Sequence, residues 1–577
     1  MFSLLPYAKK YRKEVILGPI FKFLEAVFEL FLPFYMAKLI DNGVAKNDSA
    51  YVIKTALTMI AMSVIGLICV MICQYYASIA SQGFGTELRS GLMKKINTLS
   101  HQELNDFGTA TLITRLTSDV NQLQLALAML IRLVIRAPFL SFGSVVMAFY
   151  INPQMALIFV ISLPIFCLIL FFIMKKTVPL YRIVQRKVDS LNLVIQENLS
   201  GVRVIRAFGQ KQREKVKMRE STDELARAYT RVANISALLN PATILIMNAS
   251  IIALLYFGGI NVNTGSMGQG EVLALINYLI QMLLALIVVS NLVVVFTRAS
   301  ASASRVNQIL TTESSINDVA TPLTPTFALG EKSLSFDRVD FKYTEKSGLA
   351  LENISFSIQQ GQTLGIIGPT GSGKSTLTQL IPRFYNGTAG EISVGQHPVN
   401  ELSLKALRQQ VGIVPQQSVL FSGTIRENLA WGKTNPTDEE CWQALTTAQA
   451  ADFVKALADG LETIVLEGGK NFSGGQRQRL TIARALIKKP AILILDDSLS
   501  ALDYQTDLAL RKALRKDLAA TTLVIISQRV SSVTDAQKIL VLAEGKQVGL
   551  GTHSELLAES TVYQNIYQSQ LEKEESV

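Results

Sequence analysis

The residues with the clearest chemical purpose are Gly368-Pro369-Thr370-Gly371-Ser372-Gly373-Lys374-Ser375-Thr376. Their spacing is that of a loop that wraps phosphate: glycines let successive backbone N–H groups turn inward as an anion nest at a helix N-terminus. Lys374 supplies a point charge for β- and γ-phosphates, and the Ser375 hydroxyl can ligate Mg²⁺. A glycine-rich turn that binds nothing is the plainer alternative, but strand, loop, Lys-Ser and helix occur here in order. Other groups fit the same chemistry. Tyr343, 25 residues before Gly368, offers a flat ring for adenine, although a strand tyrosine alone is usually packing. Gln416 could reach Mg²⁺ or its water through its carbonyl. Ser473, Gly474, Gly475 and Gln476 open a second helix whose N-terminus seeks phosphate. Asp496, at the end of an apolar run, suits a second Mg²⁺ contact.

Positioning these groups requires a particular frame. Thr363–Ile367 reads as a buried strand and Leu377–Ile381 as the start of a helix. From 333 to 565 short apolar strands alternate with amphipathic helices, an α/β nucleotide-binding pattern. Residues 311–332, rich in Thr, Ser and Pro, read as a linker. Residues 566–577 read as a polar C-terminal tail.

The first 310 residues form a different kind of domain. The 577-residue chain is 49% hydrophobic and 17% charged, with a mean hydropathy of +0.31, too apolar for an ordinary soluble protein. Six helical spans are expected, at 15–40, 55–80, 128–150, 155–174, 236–260 and 272–296, each near the roughly 20 residues a bilayer needs. Residues 1–14 read as an amphipathic helix at the interface, and no cleavable signal peptide is expected. The segment 175–234 holds 14 Lys or Arg, whereas 41–54 holds two and 151–154 and 261–271 hold none. The positive-inside rule then puts 87–127, 175–234 and both termini in the cytoplasm, at a plasma membrane. The two inner stretches have helical periodicity and read as extensions of the spans into water. The net charge of +10 belongs largely to these loops, which argues against a nucleic-acid partner. The four cysteines form no C-x-x-C pair or metal spacing, so neither a disulfide framework nor a zinc site is indicated.

Charges inside the spans have two readings. Glu25 and Glu29 lie four apart on the first span, Arg132 and Arg136 four apart on the third, so each pair should share a helix face. Either they line a polar cavity where the glutamates attract cationic substrates, or they pair with one another; the matched numbers favour pairing. Asn248, Asn277, Gln281 and Asn291 are weaker markers of a cavity, or hydrogen-bonding glue between helices.

Tyr343, GPTGSGKST at 368–376, Gln416, NFSGGQ at 471–476, ILILDD at 492–497, SALD at 500–503 and the switch position Gln528 occur in the order and spacing of ABC transporters. Nearly the whole chain resembles an exporter-type half-transporter: six spans fused to one ATP-binding domain. The resemblance implies ATP and Mg²⁺ as cofactors, with Ser375, Gln416 and Asp496 as Mg²⁺ contacts. It implies a dimer in which each ATP lies between one subunit's phosphate loop and the other's Ser473–Gln476 signature, flanked by the Asp503 loop. It also implies coupling helices at Leu104–Gly108 and within Glu197–Gly209, with Glu467 as an acidic sensor of them.

Two positions depart from the family's pattern. The carboxylate after Asp496, normally glutamate, is Asp497, which withdraws the group by about one C–C bond, ~1.5 Å. The switch histidine is Gln528, which has no titratable ring. Together they imply a degenerate site that binds ATP and splits it slowly. The expected assembly is therefore a heterodimer with a second, non-identical half-transporter. Hydrolysis would fall mainly at the site that joins the partner's phosphate loop to this chain's signature. The expected function is efflux of amphipathic compounds or drugs, with membrane lipid as surroundings. A regulatory ATP-binding subunit, a lipid or peptide exporter half, and a homodimer with two slow sites are the alternatives.

Overall fold

The computed structural model describes residues 2–575. The chain divides into two compact units, one of residues up to 97 with 110–312, the other of 98–109 with 313–577. The segment 98–109 lies within the expected membrane domain by position, yet clusters with the nucleotide-binding unit.

The first unit is helical. Among the described residues, five helices are long and apolar enough to cross a membrane: Ser49–Ile96, Thr109–Ile151, Pro153–Ser200, Lys211–Asn263 and Gln269–Thr311. The first expected span coincides with the 27-residue helix Arg12–Lys38. It is not among the five, because Lys22, Glu25 and Glu29 interrupt its apolar stretch. The tight helix Phe2–Tyr11 precedes it and buries Leu4 and Ala8. The 48-residue helices Ser49–Ile96 and Pro153–Ser200 are each about 72 Å long at roughly 1.5 Å per residue. A bilayer core takes up only about 30 Å of that, so each extends well beyond it. Asn152 starts the second of them: its side chain accepts from the N–H groups of Gln154 (2.9 Å) and Met155 (3.2 Å), and Pro153 fills the first helical position. In the core of this unit Tyr278 is fully buried and its hydroxyl donates to the Leu30 carbonyl at 2.5 Å. The helical register is widened by π-turns at Leu39–Val44, Arg115–Asp119 and Leu130–Val134.

The second unit is built on a sheet. Its strands are β1 (Lys332–Phe341), β2 (Leu351–Gln359), β3 (Thr363–Ile367), β4 (Ala389–Val394), β5 (His397–Pro398), β6 (Val411–Val414), β7 (Gly423–Thr424), β8 (Ile464–Val465), β9 (Ile492–Asp496), β10 (Thr522–Ile526), β11 (Lys538–Ala543) and β12 (Lys546–Gly551). Ten of them form one sheet, ordered β5-β4-β1-β2-β12-β11-β3-β10-β9-β6, while β7 and β8 pair separately. The run β11-β3-β10-β9-β6 is parallel. Its central strands β3, β9 and β10 are buried along their whole length, as expected for a parallel sheet covered on both faces. Alternate residues enter opposite cores. Leu493, Leu495, Leu523 and Ile525 pack with Leu480, Leu510 and Tyr563 on one side. Ile492, Ile494, Val524 and Ile526 pack with Leu377, Phe336 and Ile354 on the other. Residues 312–331 contain one bridge, Leu323 with Leu402, and no helix or longer strand.

The end of the chain differs from the expected polar tail. A helix runs over Thr561–Glu575, and Ile566 and Tyr567 pack on the core beside buried Tyr563. The spacing of these three side chains gives the helix one apolar face. Ser576 and Val577 lie outside the described residues.

Candidate functional site

The C-terminal ends of β3, β9 and β10 meet at one pocket. Gly373 caps the helix Lys374–Leu380 with φ of 96°, a backbone that favours glycine. A Cβ there would sit 2.7 Å from the Leu351 side chain. At Gly368 a Cβ would fall 2.1 Å from the Leu542 carbonyl. The loop therefore closes only with glycine at both positions. Lys374 Nζ donates to the carbonyls of Gly368 (2.8 Å) and Pro369 (2.7 Å). Burial pushes this ammonium below its usual range, and the Asp497 and Asp496 carboxylates pull it back up. Ser375 Oγ donates to Asp496 Oδ1 at 3.0 Å. Burial and then the neighbouring Asp497 charge raise Asp496 above the ordinary carboxylate range, against the Ser375 hydrogen bond and the Lys374 charge.

These groups border a cavity of about 510 Å³. Its walls hold Tyr343, Thr370, Gly371, Ser372, Gly373, Lys374, Ser375, Thr376, Gln416, Asp496, Asp497 and Gln528. Tyr343 lies two residues past β1. Its hydroxyl pairs with Thr376 Oγ1 at 2.9 Å, and its ring meets Phe341 and Tyr385 edge-on at 4.8 and 5.4 Å. Sequence reasoning missed Leu349, Ala350, Glu544 and Gly545 on the same walls. The last two have φ of 49° and 78° and form the tight turn between β11 and β12. An acidic residue followed by glycine between apolar runs signals such a turn, but nothing in those residue types signals the pocket. Ser375 and Asp496 offer hard oxygen donors of the kind Mg²⁺ takes, with phosphate supplying others. Among the described residues, no cluster of three or more His, Cys, Asp or Glu could hold a metal by itself.

The Asp497 carboxylate borders the same cavity. Its Oδ2 accepts from Gln416 Nε2 at 3.3 Å and from Gln528 Nε2 at 3.2 Å. Its backbone is left-handed, with φ of 45°, a conformation aspartate tolerates better than longer side chains. The Gln528 carbonyl is fixed in turn by Gln570 Nε2 at 2.6 Å.

The signature lies away from this cavity. Ser473 and Gln476 cap the helix Gly474–Leu486 reciprocally, at 3.3 and 2.9 Å, and none of Ser473–Gln476 borders the pocket. Asp503 caps the next helix through the Thr506 N–H and hydroxyl, at 3.0 and 2.7 Å. The segment 98–109 packs in this unit: the His101 ring lies 4.3 Å from that of Phe384, and Asn105 Nδ2 donates to the Tyr385 hydroxyl at 2.9 Å.

In the membrane unit the polar residues do not sort as expected. Arg136 takes both oxygens of Glu29 (2.9 and 2.7 Å) and approaches Glu25 at 3.5 Å. Lys22, left out of the sequence reckoning, pairs with Glu25 at 2.9 Å. Arg132 meets neither glutamate; it donates to Ser78 Oγ at 2.9 Å. The π-turn Leu130–Val134 contains Arg132, and Arg136 opens the next helical segment. Asn277 donates to its own helix at the Leu273 carbonyl, 2.9 Å. Gln281 Oε1 is buried without a hydrogen bond, and Asn248 is exposed. Asn291 lies outside the residues whose side chains are described.

Comparison with known proteins agrees with both units. Residues 15–286 match the model of the ABC transporter transmembrane region and 351–500 that of the ABC transporter domain. The chain is 37% identical over 579 residues to an uncharacterized ABC transporter ATP-binding protein, YfiB, of Bacillus subtilis, covering 100% of each. It is 34% identical to YheI of the same organism, described as a probable multidrug resistance ABC transporter ATP-binding/permease protein, over 84% of this chain and 82% of that one. It is 29% identical to an ATP-dependent lipid A-core flippase of Chromobacterium violaceum, over 98% and 96%. The solved structure of a bacterial Atm1-family ABC exporter with ATP bound superposes with a TM-score of 0.81 at 24% identity, covering 97% of this chain and 98% of that one.

Proposed function

The chain belongs to the ABC transporter family, and on that premise we propose that it is the slow-site half of a heterodimeric drug or amphiphile exporter in the plasma membrane. It is a multi-pass ABC exporter subunit whose ATP-binding domain is an ATPase driving translocation. The observation that carries the finer reading is the state of Asp497. Its side chain is short, and two neutral amides converge on one of its oxygens, at 3.3 and 3.2 Å. A general base needs a free, well-aimed oxygen. A carboxylate held this way suits nucleotide retention better than water activation.

The phosphate loop itself is complete, with Lys374 and Ser375 set to hold ATP and, through Ser375 and Asp496, its Mg²⁺. Mg²⁺ would neutralise the phosphate charge there. The signature Ser473–Gln476, well capped and away from this chain's own pocket, is free to complete a partner's site. The short helix Val202–Ala207 leaves Val204 and the adjacent Phe208 60% and 74% exposed, as a loop that docks on a partner would. Cytoplasmic termini follow from the Lys and Arg distribution. YheI is described as a multidrug transporter, which supports a drug-like cargo; the flippase shows that this architecture also handles lipid.

The test is reconstitution of the full-length chain alone and with the subunit it co-purifies with. Alone, it should bind ATP with little turnover; with the partner, turnover and ATP-dependent export should appear together. Brisk ATP hydrolysis coupled to pumping by the chain alone would overturn the asymmetric assembly.

A further inference from the structure

We infer that Arg132 and Ser78 form a two-donor site for the anionic head of an amphipathic substrate, an inference that rests on the exporter reading above. Apart from Lys38, which lies 4.4 Å from the Phe34 ring, the first three expected spans carry five charged side chains: Lys22, Glu25, Glu29, Arg132 and Arg136. Every carboxylate oxygen among them lies within ion-pair distance of a cation, although Glu25 Oε2 makes no hydrogen bond. Glu29 gives both to Arg136, and Glu25 gives one to Lys22 and one to Arg136. Three cations against two carboxylates leave one positive charge over, and the contacts assign it to Arg132. The cationic cargo that two glutamates would attract therefore has no acid left to meet.

Arg132 is half-buried, and its Nε is buried without a hydrogen bond. A guanidinium has five N–H donors; among the described residues Arg132 places one, on the Ser78 hydroxyl. Ser78 accepts that bond while exposed, and its own proton meets no acceptor among the described residues. Guanidinium and hydroxyl thus present donors side by side, the arrangement a carboxylate, phosphate or sulfate takes. Uncompensated charge in a membrane segment is rare and marks binding sites and pathways. Two further features support the assignment. Arg132 sits in the π-turn Leu130–Val134, a distortion that recurs at functional sites. Met71 and Tyr75, 64% and 65% exposed, precede Ser78 by two turns and one turn on the same face of the helix Ser49–Ile96. An apolar tail can lie along them while its head meets Arg132.

The experiment uses the full-length chain with its co-purifying subunit in phosphatidylcholine nanodiscs, without nucleotide. The probes are three dansylated undecyl chains that differ only in their ends: carboxylate, primary amide or ammonium. Charge-assisted hydrogen bonds should favour the carboxylate over the amide by roughly tenfold or more. Arg132→Gln should erase that preference with amide affinity unchanged, Ser78→Ala should reduce it, and Arg132→Lys should keep part of it. Elution as a single species and intact ATP binding show that each variant is folded, and Arg132→Lys carries the test if Arg132→Gln is not. Equal affinity for the three probes, or a preference that survives Arg132→Gln, would overturn the site.

Repeating the titration with phosphatidylglycerol in the disc separates two sources of the anion. Competition that disappears in Arg132→Gln supports the site and assigns it to a lipid headgroup. Undiminished carboxylate binding supports it and assigns it to a free amphiphile. Because binding needs no turnover, an assembly that binds the probe but never pumps would refute the exporter reading and leave this site standing.

Discussion

Lengthening Asp497 to glutamate measures how far the ATP pocket departs from a hydrolytic one. The substitution moves the carboxylate out by about 1.5 Å, and a shift of that size is worth up to roughly a hundredfold in rate. Two features oppose the gain. The backbone at 497 is left-handed, with φ of 45°, which costs glutamate about 1 kcal/mol relative to aspartate, roughly fivefold. The amides of Gln416 and Gln528, at 3.3 and 3.2 Å, also remain to draw the carboxylate back. About twentyfold is therefore the expected gain at this site. In the intact assembly the partner's site should mask it, and total turnover should change by less than about twofold. The assay is phosphate release from the proposed heterodimer, reconstituted with the partner's catalytic carboxylate neutralised, with and without Asp497→Glu. Adding Gln528→His should raise the rate further, by removing one amide and restoring a ring at the switch. The reasoning fails if neutralising the partner leaves half of the turnover. It fails equally if Asp497→Glu does nothing in that background.

Other outcomes follow from the same contacts. Lys374→Ala removes the charge facing the phosphates and should weaken ATP at this pocket by roughly tenfold to a hundredfold, read by photolabelling with an azido-ATP. Arg136→Gln strands Glu29 and leaves Glu25 to Lys22, in a setting where its own side chain is 26% exposed. It should destabilise the membrane unit by about 3 kcal/mol, against about 1 kcal/mol for Arg132→Gln, which loses one hydroxyl contact; survival of heating on size-exclusion chromatography ranks the two. His101 carries a pH dependence. Burial and then the Arg408 charge lower its pKa, so the docked ring binds fewer protons than a free one titrating near ~6.5. Packing of 98–109 should therefore be full above that pH and weaken as pH falls below it. Hydrogen exchange corrected for intrinsic rates, at about pH 7.5 and about pH 5.5, should detect loosening in the wild type and not in His101→Gln.

The phosphate loop was legible because glycine spacing and a following Lys-Ser dictate backbone geometry locally. The strands before it and before Asp496 were legible because strands buried on both faces read as unbroken apolar runs. The membrane charges were legible in part: the expected Glu–Arg pairing is made by Arg136, but the contacts of Lys22 and Arg132 were not read, for two reasons. Lys22 lies among aromatic and aliphatic neighbours, and its pairing with Glu25 depends on side-chain reach. The π-turn at Leu130–Val134 has no glycine or proline within it, so a regular helix was the natural reading and both arginines were assigned to the glutamates. The packing partners of 98–109 were not legible, because sequence adjacency to membrane helices says nothing about what His101 and Asn105 pack against. The terminal helix was readable in principle, since Tyr563, Ile566 and Tyr567 repeat at helical spacing among polar residues that suggest a tail.

The contacts of that segment carry one more implication. Asn105 touches the Tyr385 hydroxyl, Tyr385 abuts Tyr343, and Tyr343 is tied to Thr376 on the phosphate loop. If Tyr343 takes a purine as proposed, the base would wedge the near end of this file of rings, whose far end is the segment 98–109. Residence of the nucleotide, with no bond broken, would then be enough to brace that segment. On the proposed function, a pocket that seldom empties would act as a doorstop for it.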